Sequence, residues 1–205
     1  MDANRCRHLA RIAAAAALGR RRLLGSWYRA ALDEGVAIAD LQEATLQVFL
    51  FAGYPRTIDA FDELHAAYGV APPPPPPVEP EPGNLHKRGR AIFDRIYSKH
   101  ADTVLSKLEA HHPDFAEYVI YDAYGQVLGR PFLPMEEREV MAISMLAIMD
   151  LRAQMHSHVL GALRVGATVE QVRLALSAAE EVERLPHHIH VAAEDAIVKY
   201  REREA

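Results

Sequence analysis

The hydrophobic residues of this chain fall into helical spacings or short apolar runs, and no segment alternates apolar and polar residues for long. The run 140–149 is apolar on every side except at Ser144, which predicts a buried helix. Residues 9–18 are rich in alanine, which favours a helix and close helix packing. A further amphipathic pattern from Arg88 to Ala110 predicts another helix. Because sustained period-two alternation marks half-buried strands, its absence predicts an all-α fold.

The second half of the chain repeats the first at a constant offset of 131 positions, without a gap. Gly35 matches Gly166, and Pro55 matches Pro186. In both copies an apolar helix is followed by a polar hinge, a second helix, a glycine, a third helix and a proline. Because self-similarity at a fixed offset indicates repeated structural units, we predict one helical unit duplicated in the chain.

Turn and capping residues mark where the helices of the second copy end and begin. Gly166 is suited to the left-handed residue that closes a helix. Thr168 and Gln171 form a capping-box pattern that starts the next one. Pro55 and Pro186 predict a break followed by a last helix in each copy.

A proline tract divides the sequence. Residues 71–82 read APPPPPPVEPEP, which predicts an extended polyproline II spacer. A ligand for SH3-type domains is the alternative. We therefore predict a first copy at 4–70, a linker at 71–83, and a second domain at 84–205 that carries an added helical segment before its repeat.

Composition narrows the possible partners and compartments. The net charge of −5 gives no reason to expect nucleic acid, and no apolar run is long enough to span a membrane. Cys6 is the only cysteine, which excludes an internal disulfide. The arginine-rich start followed by residues 12–18 is similar to a targeting peptide, but its counterpart in the second copy is a core helix. We predict a helix there and a cytoplasmic protein.

Residues 141–176 resemble the carboxymuconolactone decarboxylase/AhpD-like family. The resemblance rests on an apolar helix followed at fixed spacing by His158, Ala162-Leu163, Gly166 and Thr168. The preceding segment is similar to the family's aromatic-glycine, arginine-proline and leucine-arginine elements, here Tyr124-Gly125, Arg130-Pro131, Leu133 and Arg138. In the first copy, residues 51–61 are similar to the family's Tyr-Ala-Gly-x-Pro turn.

The redox branch of this family uses a glutamate, two cysteines and a histidine. The matching positions are Glu139, Leu151, Gln154 and His158. The acid and the histidine are present, but leucine and glutamine cannot supply a thiolate nucleophile. Thiol peroxidase activity is therefore not expected, and Cys6 is interpreted as incidental.

The decarboxylase branch needs neither cysteine nor cofactor, so the resemblance implies an acid/base enzyme of the lyase class that acts on a small carboxylated or lactone-like metabolite. His158 is the candidate proton donor and Glu139 its orienting partner. Arg130 and Arg138 are candidates to hold the substrate anion, because a guanidinium binds a carboxylate through two hydrogen bonds. Tyr54 is a candidate to line a pocket formed between the copies.

Each candidate also has a structural interpretation. His158 can be a histidine whose hydrogen bonds are satisfied between packed helices, and Glu139 a first-turn acid favoured by the helix dipole. Arg138 can pair with a carboxylate and hold the repeat together. The first copy has Trp27 in place of His158 and His8 in place of Glu139. Any chemistry therefore belongs to the second copy.

Five histidines fall in two short runs near the end of the chain. A three-histidine metal site from His158, His187 and His190 is one interpretation. Exposed helix histidines without a metal are the other, and we adopt it because no carboxylate or cysteine stands at an established metal-motif spacing.

The resemblance also bears on assembly. Family members with one repeat per chain form trimers or hexamers, so two repeats per chain predict a homotrimer or, failing that, a dimer. A second functional hypothesis is a non-catalytic binding or assembly module, a pseudo-enzyme that has lost its redox cysteines.

Overall fold

The computed structural model describes residues 2–74 and 82–204, with the side chains of 82, 83, 203 and 204 excepted. These described residues are predominantly helical and contain no strand, as the sequence predicts for an all-α fold. Within them, no helix combines the length and the apolar character needed to cross a membrane. Of the predicted linker 71–83, positions 75–81 lie outside the described residues.

The helices follow one another in a simple order. α1 (Ala3–Leu18), α2 (Arg21–Asp33) and α3 (Ile38–Tyr68) come first; α4 (Pro82–Tyr97), a 3₁₀ turn (Ser98–His100), α5 (Ala101–His111), α6 (Pro113–Tyr118) and a π-helix (Val119–Leu128) follow; α7 (Met135–Ile148), α8 (Arg152–Val165), α9 (Val169–Glu180) and α10 (His187–Glu204) complete the described chain.

The chain divides into two compact units, and the larger one is built from two segments that are separated in sequence. One unit joins residues 1–75 with 132–205, and the other comprises 76–131. This division differs from the predicted boundaries, 4–70 and 84–205. The physical reason is that α1 packs against both α7 and α9, so that the helices at 3–68 and those at 135–204 share one unit.

α1 and α7 form the centre of the larger unit. α1 is buried along most of its length, and every residue from Glu137 to Ala147 in α7 is buried. The buried helix predicted at 140–149 is therefore confirmed. Ser144 is the one polar residue of this apolar run. Its hydroxyl donates to the carbonyl of Ala10 at 2.9 Å and thus joins the two central helices.

The helix ends predicted for the second copy are confirmed. Gly166 closes α8 in the left-handed region, with φ 109°. Thr168 and Gln171 form a complete capping box at the start of α9. In the first copy Ala37 stands at the same place, and its side chain makes no cap. The first residues of α2 and α8, Arg21 and Arg152, are also related by the offset of 131, whereas α8 ends one residue later than this offset gives.

The predicted breaks before the two prolines occur in different forms. In α3 the helix is interrupted at Gly53, whose φ of 76° and ψ of 176° are not helical. In the second copy α9 ends at Glu180, and α10 begins at His187, one residue after Pro186. The sequence predicted the break in both cases and misplaced the start of α10 by one residue.

The smaller unit is built on a close crossing of α4 with the π-helix. A Cβ atom on Gly89 would lie 2.0 Å from the carbonyl oxygen of Ile120, so glycine is required at this crossing. The single helix predicted from 88 to 110 is wrong. Ser98 has φ 52°, which breaks the segment into α4 and α5.

Candidate active site

Glu139 on α7 and His158 on α8 form a hydrogen-bonded pair. Nδ1 of His158 lies 2.9 Å from Oε2 of Glu139. The Glu139 side chain is fully buried, whereas 11% of the His158 side chain is exposed. The structure thus brings together the two residues that the sequence nominated for catalysis.

The hydrogen bond fixes which nitrogen of His158 is available. With an ionised Glu139, Nδ1 carries a proton and donates to Oε2, so Nε2 is the nitrogen free to meet another molecule. The carboxylate also stabilises the imidazolium when both nitrogens are protonated. The pair can therefore hold a proton and deliver it from Nε2.

The second oxygen of Glu139 is in a different situation. Oε1 is buried and has no hydrogen-bond partner among the described residues. A buried carboxylate oxygen without a donor is unfavourable by about 1–3 kcal/mol or more. This orphaned acceptor is a feature that the sequence did not predict.

Phe51 completes the immediate surroundings of His158. The ring centroids of Phe51 and His158 are 5.7 Å apart, with the rings edge to face. Phe51 lies on α3, two residues before the break at Gly53. The sequence analysis missed Phe51 as a site residue, although it begins the Tyr-Ala-Gly-x-Pro-like segment that was noted for other reasons.

Arg138 is buried and engaged with protein groups. Its Nη2 lies 3.1 Å from Oε2 of Glu43, and both side chains are almost completely inaccessible. Its carbonyl accepts from the amide of Gln47 at 2.7 Å. This geometry favours the structural interpretation, an arginine that ties α7 to α3, over the predicted role of substrate holder.

The other two predicted binding residues are Tyr54 and Arg130. Tyr54 is 70% exposed, and its ring packs on Phe49 at a centroid distance of 4.9 Å. Arg130 belongs to the smaller unit, where it is half-buried. The pKa of Arg88 is lowered by its own burial and, to a smaller extent, by the charge of Arg130.

His8 and Trp27, which lie 131 positions before Glu139 and His158, contact a different set of side chains. His8 is buried, and its Nε2 lies 3.0 Å from Oε2 of Glu34. Its Nδ1 accepts from Arg11 at 2.8 Å, because a guanidinium can only donate. The guanidinium of Arg11 lies over the ring of Trp27, 5.2 Å from the centroid. His8 is thus committed to internal partners through both of its nitrogens.

Sulfur chemistry has no support at this site. Leu151 is 40% exposed and Gln154 is exposed, at the two positions where the redox branch has cysteines. Cys6 is buried in the core, and this burial, with a smaller effect of the Glu137 charge, raises the pKa of its thiol to about 12. A thiol of this kind is almost entirely protonated at neutral pH.

His156, His188 and His190 pair with separate carboxylates. His190 Nε2 lies 3.0 Å from Glu180, and His156 Nε2 lies 3.1 Å from Asp195. Among the described residues, no group of three or more histidine, cysteine or acidic side chains is placed to hold a metal ion. His187 and His188 are exposed, whereas His156 and His190 are partly buried.

Comparison with known proteins identifies the family. The model of the carboxymuconolactone decarboxylase family matches residues 113–194. Peroxisomal protein 2 of Schizosaccharomyces pombe is 32% identical over 148 residues, which cover 70% of this chain and 68% of that protein. The chain belongs to the carboxymuconolactone decarboxylase family. Peroxisomal protein 2 of Saccharomyces cerevisiae is 30% identical over 91 residues, 42% of this chain and 32% of that protein.

The matched segment contains the Glu139–His158 pair and ends within α10. It does not include α1 to α3, from which Phe51 and Glu43 come. In this member of the carboxymuconolactone decarboxylase family, the candidate site is thus carried by the family segment and completed by residues that precede it.

Proposed function

We propose that this protein is a cofactor-free acid/base enzyme of the carboxymuconolactone decarboxylase type. It acts on a small carboxylated or lactone-like metabolite, with His158 as proton donor and Glu139 as its partner. The observation that carries the proposal is the 2.9 Å contact between Nδ1 of His158 and the buried carboxylate of Glu139. This contact orients the imidazole and leaves Nε2 for the substrate.

The chemistry of this proposal requires only protein groups. The bond between the substrate carbon and its carboxylate breaks, carbon dioxide leaves, and the electron pair remains on the substrate as a dienolate. Nε2–H of the His158 imidazolium then gives its proton to carbon, and the neutral imidazole regains a proton from solvent. The Glu139 carboxylate stabilises the imidazolium throughout. Arg138 is paired with Glu43 and is therefore not assigned as the anion holder.

The test is turnover of γ-lactone acids by the parent and by His158→Asn. The asparagine amide can still donate to Glu139, so folding is preserved while proton delivery is lost, and we expect kcat to fall about 10²-fold or more. His156→Asn is the matched control, because His156 lies on the same helix and pairs with the exposed Asp195. Equal turnover by His158→Asn and the parent would reject the proposed role.

A non-catalytic binding or assembly module is the second candidate. The observation in its favour is the place that lies 131 positions earlier in the chain, where Arg11 contacts both His8 and Trp27. A module of this kind has lost one site already. No turnover of any lactone acid, together with a stable complex recovered with another protein, would favour it.

We further propose that the chain is a tandem duplication and assembles as a homotrimer of two-repeat chains. The offset of 131 that relates the first residues of α2 and α8 supports the duplication. Light scattering of the purified protein tests the assembly. A dimer would still be an assembly with closed symmetry, whereas a monomer at micromolar concentration would contradict the proposed assembly.

The compartment is the last part of the proposal. The sequence alone favoured the cytoplasm, but both relatives are named peroxisomal proteins. We propose the peroxisome for this chain. Microscopy of the protein fused to a fluorescent reporter at either end, beside a peroxisomal marker, tests this against a diffuse cytoplasmic signal.

A further inference from the structure

The smaller unit contains a cleft that lies outside the proposed function. It has a volume of about 250 Å³ and lies where α4, α5, α6 and the start of the π-helix meet. Four of its lining residues are apolar: Leu105, Pro113, Ala116 and Ile120. Ala116 and Ile120 are buried, Leu105 is half-buried, and Pro113 is exposed. The cleft therefore offers an apolar floor against which a ligand can bury apolar surface.

The rest of the lining is polar. It consists of His86, Arg90, Glu109 and Glu117. Oε2 of Glu117 lies 3.2 Å from Nε2 of His86, and both side chains are more than half exposed. Glu109 is also exposed, and among the described residues it pairs with no cation. Carboxylates from α5 and α6 thus stand in solvent at the rim of the cleft.

Arg90 does not offset these carboxylates. Its Nε donates to Oδ1 of Asp94 at 2.8 Å, and its Nη2 donates to Oδ1 of Asp102 at 2.6 Å. The bonds to Asp102 and Asp94 raise the pKa of Arg90, so its charge is fixed and is shared between two acids. Among the groups that line the cleft or pair with its lining, negative charges therefore outnumber positive ones, even with His86 protonated.

We propose that this cleft binds a small organic ammonium ion. Its apolar body packs on Leu105 and Ile120, and its ammonium group donates to Glu109 and Glu117. An ammonium has three N–H donors and no acceptor, which suits carboxylate partners, whereas an anionic ligand is repelled by them. A cleft of about 250 Å³ is smaller than the sites of drug-sized ligands, which begin at roughly 300 Å³, so the ligand has a single ring or a short chain.

Isothermal titration of the full chain at neutral pH compares benzylammonium with benzyl alcohol. The two probes share a ring and carry polar groups of similar size, but only the first is charged. Ion pairing at an exposed rim predicts that benzylammonium binds about 5-fold more tightly at low salt. This preference should fall toward one at about 1 M salt. Equal dissociation constants at low salt, no measurable binding of benzylammonium, or a preference that salt does not change would overturn the inference.

Variants of the rim locate the ammonium group. Glu109→Gln/Glu117→Gln keeps the shape of both side chains and removes their charges, so the preference should fall to near one. Asp114→Asn is the matched control, because Asp114 also lies on α6, is 65% exposed and lies 3.9 Å from a histidine, His112, but does not line the cleft. It should leave both dissociation constants unchanged. A preference retained in the double variant would place the ammonium group elsewhere and reject the proposal.

A variant of the floor locates the ring. Leu105→Phe adds volume at the cleft and should weaken the binding of both probes. Unchanged binding of both would show that they bind outside the cleft. Should this variant not fold, the rim variants still decide the matter, because Glu109 and Glu117 are exposed. The result is independent of the proposed function, since the cleft and the Glu139–His158 pair belong to different units.

Discussion

Gly19 and Asp150 are 131 positions apart, and both have left-handed backbone conformations, with φ 66° and 59°. Each follows the central helix of its copy and precedes the hinge to the next helix. Glycine adopts this conformation without strain, whereas a residue with a Cβ does so less readily. Asp150 also pairs with His188. Asp150 thus has the same backbone conformation as Gly19 while carrying a side chain.

Two substitutions at Asp150 separate the backbone from the side chain. Asp150→Gly and Asp150→Ala both remove the contact with His188, but only glycine fits the left-handed turn without strain. We expect Asp150→Gly to be more stable than Asp150→Ala by about 1 kcal/mol. Urea denaturation measures both free energies of unfolding. An alanine variant as stable as the glycine variant would show that the turn is not left-handed.

A missing helix cap in the first copy can be restored. Thr168 accepts from the backbone N–H of Gln171 at 3.2 Å, whereas Ala37 at the equivalent place cannot. Ala37 already has the extended backbone of an N-cap, with φ −64° and ψ 140°. We expect Ala37→Thr to raise the free energy of unfolding by about 1 kcal/mol. Ala37→Val, which has the same shape without the oxygen, is the control and should not stabilise the protein.

The cysteine provides a pH-dependent prediction. Burial raises the pKa of the Cys6 thiol from 9.0 to about 12, so at pH 8 the folded protein holds roughly a thousandfold less thiolate than the unfolded chain. A disulfide exchange reagent should therefore react with Cys6 in urea and hardly at all in the folded protein. Fast reaction of the folded protein at pH 8 would contradict the buried position. Cys6→Ala should leave turnover unchanged.

The buried pair of Arg138 and Glu43 links α7 to α3 across 95 positions of sequence. Arg138→Met leaves a carboxylate buried without its cation, which should lower the free energy of unfolding by about 3–5 kcal/mol. The double variant Arg138→Met/Glu43→Leu should recover most of this loss, since no uncompensated charge remains. Thermal melts of the three proteins provide the measurement. A double variant as unstable as the single one would assign the loss to packing rather than to charge.

These long-range pairs also show where prediction from the sequence stops. The buried α7 and the Thr168 capping box follow from residues close in sequence, and the sequence predicted both. The pairing of Arg138 with Glu43 and the contact of Phe51 with His158 depend on how α3 packs against α7 and α8, which local patterns do not specify. The roles of Glu139 and His158 were nominated through the family resemblance, because a glutamate and a histidine nineteen positions apart carry no signal of their own.

The last prediction concerns the stability of the candidate pair itself. The first copy has Trp27 where the second has His158, which alone would suggest that an aromatic residue is tolerated there. The structure gives the opposite expectation for the single change His158→Phe. Glu139 would then be buried with neither oxygen bonded, and we expect a loss of about 3 kcal/mol or more.

Two comparisons make this loss specific to the missing donor. His158→Asn keeps an N–H for Glu139 and should unfold at a temperature close to that of the parent. Glu139→Leu/His158→Phe removes both polar partners and should be more stable than His158→Phe alone, because replacing both members of a bonded pair by apolar groups is nearly neutral. Differential scanning calorimetry of the three variants decides the point. If His158→Phe has the same melting temperature as the parent, Glu139 accepts from another donor or is protonated in the variant. The hydrogen bond to His158 would then not be required for stability.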